Sequence, residues 1–184
     1  FSEMQLQQIK HNLRQGIMVI DEAFADSRPT PTLALAMNTW KLRSIGKFFG
    51  LAGIRLGFVL ASQDQIQQLS QRQSPWSVSH LARWAGKHAL ADTAWQTVQK
   101  TRLKQQSKKL NELLVAHGFN SINQTDYFVT ITSEQSQAWV ESAVQSQLLL
   151  RHLPAINAIR FGLPADEQEW GKLNEWLSRQ TFSR

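Results

Sequence analysis

Cysteine is absent from this 184-residue chain, which excludes disulfides, thiolate metal sites and thiol nucleophiles and agrees with a reducing compartment. The few histidines (His11, His80, His88, His117 and His152) are scattered without metal-ligand spacing, so no metal site is expected. No apolar run approaches the roughly 18 residues of a membrane span. Nothing has the charged, apolar and small-residue order of a secretory signal. A soluble, cytoplasmic protein without a membrane partner is the expectation. Internal repeats and low-complexity tracts are also missing. With 42% hydrophobic and only 18% charged residues, the chain can bury a real core and is not disordered.

Acidic residues are the scarcer charge, leaving a net charge of +6 and a pI near 10.0. The excess lies early: residues 1–125 carry fifteen Lys or Arg against seven Asp or Glu, whereas residues 126–184 carry five against seven. Lys100, Arg102, Lys104, Lys108 and Lys109 crowd one helical stretch. No aromatic residues interleave with them and no helix-turn-helix or RNA-binding signature is present, so they read as a solvated helix face and no nucleic-acid partner is expected.

The chain opens at Phe1 rather than Met, in what reads as a helix already under way, and a piece of a longer protein is expected. Met4, Leu6, Ile9 and Leu13 recur at helical spacing up to Gly16. The run Ile17 to Ile20 predicts a parallel strand buried on both faces, with Asp21 and Glu22 at its carboxyl end, where open α/β sheets bind ligands. Residues 27–31, with Pro29 and Pro31, predict a loop. Leu33 to Met37 is a short strand or helix. Gly57 to Ala61 predicts a second buried strand. Helices are expected over Asp64–Gln73, Val78–Leu90 and Asp92–His117, the last capped by Gly118. Strand Tyr127–Thr132, helix Gln135–Leu150, strand Ala158–Gly162 and helix Asp166–Arg179 complete an α/β first part and a small α+β layer. Trp76, Trp84, Trp95, Trp139, Trp170 and Trp176 fall at helical positions and are expected to pack.

Chemistry concentrates in two segments. Asp21, at the end of an apolar strand, reads by itself as a cap or ion-pair partner rather than as a catalytic group. In the stretch from Arg43 to Phe58, Lys47 stands between Gly46 and the pair Phe48–Phe49; apolar neighbours disfavour a charged ammonium, which suits a Schiff-base lysine. Ser44, Lys47 and Arg55, spaced by glycines, offer a hydroxyl, an amine and a guanidinium that one phosphate-bearing aldehyde can engage together. With an Asp to pair with a pyridinium nitrogen, this is the constellation for pyridoxal phosphate.

The segments Asp21-Glu22-Ala23-Phe24 and Ser44-Ile45-Gly46-Lys47, with Arg55 eight residues on, resemble those of fold type I pyridoxal-phosphate enzymes of the aminotransferase class I and II group. Phe24, the stretch Lys47 to Phe58 and Ile159-Arg160-Phe161-Gly162-Leu163-Pro164 most resemble the threonine-phosphate decarboxylase branch of cobalamin biosynthesis, with histidinol-phosphate aminotransferases next. The resemblance spans the later half of such an enzyme. It implies a three-layer α/β transferase-like large domain, present in part over residues 1–97, and a small α+β C-terminal domain over residues 98–184.

Residue by residue, the resemblance implies that Lys47 holds pyridoxal 5'-phosphate and moves protons, with Asp21 on the ring nitrogen and Ser44 and Arg55 on the phosphate. Phe24 stands where many relatives have a Tyr that bonds the phenolic oxygen. Arg160 resembles the arginine that grips the substrate carboxylate, and Arg151 a second substrate arginine. The implied activity is decarboxylation of L-threonine O-3-phosphate to (R)-1-amino-2-propanol phosphate, in a homodimer taking a small phosphorylated amino acid. The alternatives are an aminotransferase of the histidinol-phosphate type and an inactive truncated chain or binding module.

Overall fold

The computed structural model describes residues 1–13, 16–28, 38–119 and 121–180. The residues 33–37 expected as a short element, and most of the proline loop, lie outside them. The chain divides into two units, Phe1–Thr97 and Val98–Arg184.

In the first unit, helix α1 (Glu3–Asn12) does not run in from Phe1. It starts at a capping box in which Ser2 and Gln5 satisfy each other's backbone donors. Strands β1 (Met18–Asp21), β2 (Thr39–Ser44) and β3 (Gly57–Leu60) form a sheet of order β1-β2-β3. β1 and β2 run parallel and β3 antiparallel to β2. The register pairs Met18 with Thr39 and Asp21 with Leu42. By strand alternation, Val19, Asp21, Leu42 and Ser44 share one face and Ile20, Lys41 and Arg43 the other.

The strand over 17–20 is present but not buried on both faces: Met18 is buried, whereas Val19, on the opposite face, is 54% exposed. β3 likewise has no buried residue. Among the described residues packing covers β1 on one side only and leaves both Phe58 and Val59 of β3 half-buried, so a continuous apolar run overstated their burial.

Helices α2 (Gln63–Gln71) and α3 (His80–Ala91) follow, each led by a serine cap, Ser62 and Ser79. Gly86 of α3 lies so close to Leu56 that a Cβ there would meet Leu56 Cδ2 at 2.4 Å. Phe48 and Phe49 form an edge-to-face pair with centroids 5.0 Å apart, and Trp95 stacks on Phe49 at 5.9 Å.

Helix α4 (Thr93–Ala116) runs on into the second unit. It ends in a Schellman motif: Gly118 has φ 84°, its N–H donates to Val115 O (2.9 Å), and the Phe119 N–H donates to Leu114 O (3.0 Å). The turn delivers Phe119 into the core beside Leu114.

The second unit carries a four-stranded antiparallel sheet of order β4-β5-β7-β6: β4 (Ser121–Gln124), β5 (Phe128–Thr132), β6 (Arg151–Leu153) and β7 (Ala158–Gly162). Helices α5 (Ser136–Gln145) and α6 (Glu167–Ser178) supply Trp139, Ala143, Trp170, Leu173, Trp176 and Leu177 to a core with Val129, Ile131, Ile159 and Phe161. Buried Ser107 ties α4 to the β4–β5 connection, donating to Thr125 O and accepting from Gln124 Nε2. α5 stops well before Leu150, because Gln147 takes a left-handed conformation (φ 59°) that ends the helix and frees Arg151 to start β6. Trp139, Trp170 and Trp176 pack as expected. Trp76 (84% exposed) and Trp84 (63%) do not, and Trp76 lies in a turn outside any helix. Among the described residues no helix is long and apolar enough to cross a membrane, and no metal-binding cluster of His or acidic residues forms.

Candidate active site

β1 and β2, side by side and parallel, bring Asp21 and Ser44 to their carboxyl ends on one face of the sheet. Beyond Ser44 the chain turns sharply, and the Ser44 Oγ accepts from the Gly46 N–H (3.1 Å), which leaves the hydroxyl proton to donate outward. A Cβ on Gly46 would meet both Ala52 Cα and Ser44 Oγ at 3.2 Å, so glycine is what lets these two segments close on each other.

This close approach shapes a cavity of about 260 Å3 lined by Ser44, Gly46, Lys47, Ala52, Arg55 and Gly57. Three of the expected cofactor residues therefore line one recess. Arg55 caps a 3-10 turn over Ala52–Ile54 in the left-handed conformation (φ 57°, ψ 46°), which costs a non-glycine residue roughly 1–2 kcal/mol. One guanidinium nitrogen donates to Ala52 O at 3.1 Å, and the others remain for an anion. A hydroxyl, an amine and a guanidinium around a glycine-tight turn fit the phosphate and aldehyde of pyridoxal phosphate.

Lys47 is exposed, while Phe48 and Phe49 turn inward and are buried. The apolar neighbours thus do not bury the amine as its sequence context suggests, because both phenylalanines pack inward while Lys47 faces out. The aromatic group that does meet the amine is Phe24, whose ring centroid lies 5.2 Å from Lys47 Nζ. Asp21 is exposed; its Oδ1 accepts from the Ala23 N–H at 2.9 Å and shapes the turn toward Phe24. It does not line the 260 Å3 cavity.

Behind this turn is a charge cluster that the sequence reading passed over. Glu22, 8% exposed, pairs with Arg43 Nε at 2.8 Å and with Lys41 at 3.6 Å, and Arg43 Nη1 also holds Asp26 Oδ1 at 2.7 Å. The signal was present in Lys41 and Arg43, which alternate at the strand period and so share a face.

Arg151 and Arg160 belong to the second unit. They are register partners across β6 and β7, and the Arg160 guanidinium carbon lies 4.7 Å from the centroid of the Phe128 ring.

The family model described as aminotransferase class I and II matches residues 1–177. The chain is 37% identical over 167 residues to a threonine-phosphate decarboxylase of Pseudomonas aeruginosa, covering 89% of this chain and 50% of that protein. It is 29% identical over 172 residues to a histidinol-phosphate aminotransferase of Staphylococcus saprophyticus, covering 90% and 48% respectively. Among solved structures, histidinol-phosphate aminotransferase from Sinorhizobium meliloti in complex with pyridoxal-5'-phosphate superposes with a TM-score of 0.76 at 20% identity, over 88% of this chain and 49% of that one, which shows the fold. The chain spans about half the length of the curated relatives it matches. A match over nearly the whole chain, on a fold that gathers Ser44, Lys47 and Arg55 around one recess, leads to one conclusion: this chain belongs to the class I and II aminotransferase family of pyridoxal-phosphate-dependent enzymes.

Proposed function

We propose that this chain carries the lysine-bearing part of a pyridoxal-phosphate site. In this reading the protein decarboxylates L-threonine O-3-phosphate to (R)-1-amino-2-propanol phosphate for cobalamin biosynthesis. The observation that carries the reading is the shared recess of Ser44, Lys47 and Arg55. Ser44 and Arg55 would hold the cofactor phosphate, Lys47 its aldehyde carbon and Asp21 its ring nitrogen. When bound, the cofactor supplies an electron sink for the charge left on the substrate's α-carbon.

The residues of this chain do the rest. Arg160 and Arg151 bind the substrate's anionic groups by charge-assisted bonds and orient the carboxylate for loss. Lys47 Nζ would hold the cofactor's aldehyde carbon and would supply the proton that replaces carbon dioxide on the substrate's α-carbon. Phe24 brings a ring face and no hydroxyl to the cofactor pocket. The higher identity to the decarboxylase than to the aminotransferase supports the choice of reaction.

An aminotransferase of the histidinol-phosphate type is the second reading, supported by the similarity to that enzyme over 90% of the chain. The two reactions separate cleanly. Carbon dioxide released from L-threonine O-3-phosphate without an oxo acid supports the first, and consumption of 2-oxoglutarate with histidinol phosphate supports the second. The cofactor assignment has its own test, in which the chain is mixed with pyridoxal phosphate, reduced with borohydride and its modified lysine mapped by mass spectrometry. Saturable label confined to Lys47, and lost in Lys47→Ala, is expected; label spread over surface lysines overturns the assignment. The homodimer and the cytoplasmic setting belong to this reading too, and sedimentation and cell fractionation check them.

A further inference from the structure

We propose that Arg43 is a positioning residue that holds the Phe24 ring against Lys47, an inference that rests on the reading of Lys47 as the cofactor lysine. Glu22 is 8% exposed, and a carboxylate this deep is tolerated only when paired. Its partners are Lys41 and Arg43, both on β2. The same Arg43 guanidinium also grips Asp26 at 2.7 Å. One side chain thus fastens both flanks of the segment 22–26, and Phe24 is its midpoint.

The ring of that segment needs holding. Phe24 lies in the turn that follows β1 and is 44% exposed. Burial alone fixes such a ring weakly. A buried ion cluster is an inefficient source of stability, since desolvation offsets most of the attraction. What it supplies here is a fixed position relative to β2, the strand that ends at Ser44 and continues into Lys47. An arginine suits the task because its planar fork can serve two carboxylates at once, whereas a lysine offers a single point charge.

The experiment uses 4-fluorophenylalanine incorporated at position 24 of the whole chain and its 19F resonance, with no cofactor present. Lys47→Ala is expected to move the resonance, reporting the ring–amine contact. In an Arg43→Met background the resonance is expected to lose its response to Lys47→Ala, while Arg43→Lys keeps part of it. If Arg43→Met does not fold, Glu22→Gln and Asp26→Asn, which each release one flank, are expected to reduce the response. An undiminished response in Arg43→Met overturns the proposal. So does an undiminished response in both Glu22→Gln and Asp26→Asn, or no response to Lys47→Ala in the unmodified background. Failure of pyridoxal phosphate to label Lys47 would instead end the cofactor reading and leave this coupling standing, so the two failures are told apart.

Discussion

Arg151 on β6 and Arg160 on β7 are direct register partners, two cations facing each other across one antiparallel ladder. Directly opposed like charges destabilise a sheet, by about 0.5 kcal/mol for an accessible pair. The Phe128 face under Arg160 offsets part of that repulsion, and an anion between the two guanidiniums would reverse its sign. Arg151→Gln should therefore raise the urea midpoint of the ligand-free chain slightly. It should also abolish any gain in melting temperature given by L-threonine O-3-phosphate. A lower midpoint in the variant would mean that Arg151 is held by favourable contacts instead.

Arg55 poses a similar conflict within a single residue. Arg55→Gly removes the left-handed penalty at φ 57° but adds chain entropy to the unfolded state, for a net stabilisation of about 0.5–1 kcal/mol. The same change removes the guanidinium from the cofactor recess. Stability by denaturant titration should rise while the concentration of pyridoxal phosphate needed to label Lys47 increases at least tenfold. A rise in stability with no change in the labelling concentration would remove Arg55 from the phosphate site.

Gly46→Ala tests the tight turn. Its new Cβ would lie 3.2 Å from Ala52 Cα, a backbone atom, and 3.2 Å from Ser44 Oγ. A loss of about 1 kcal/mol is expected, since overpacking outweighs the entropic benefit of alanine. Labelling of Lys47 should weaken as Ser44 is displaced. An unchanged urea midpoint with unchanged labelling would show that the turn has slack.

Trp176 is 1% exposed, packs at 6.2 Å from Phe161 and donates from Nε1 to Ser142 Oγ at 3.2 Å. Trp176→Ala should cost about 3–5 kcal/mol. Loss of hydrogen-exchange protection in β5 and β7 would report it, and full protection in the variant would contradict the central place given to this ring.

Local chemistry made much of this fold legible. Strand Ala158–Gly162 was placed to the residue. Gly118 as a helix stop and the helix beginning after Pro164 followed from caps and turn residues, with Asp166 the cap that accepts from the Glu169 N–H. What escaped was set by neighbours distant in sequence. β2 carries Lys41 and Arg43 among its apolar residues and does not read as a strand until Glu22 and Asp26 neutralise them. β6 is three residues long, and only pairing with β7 defines it. For the candidate site, residue types and spacing pointed to Ser44, Lys47 and Arg55, and the structure gathers those three. The Phe24–Lys47 contact needed the turn after β1, which no periodicity announces.

The seven tryptophans give the molecule an optical asymmetry. Those of the second unit, Trp139, Trp170 and Trp176, are buried, whereas of the four in the first unit Trp76, Trp84 and Trp95 are at least 40% exposed and Trp40 is half-buried. Emission at the blue edge of the fluorescence spectrum therefore originates mainly from residues beyond Thr97, and the red edge from residues before it. Quenching by acrylamide will silence one population well before the other. A single spectrum thus records the state of each unit separately, with no probe added.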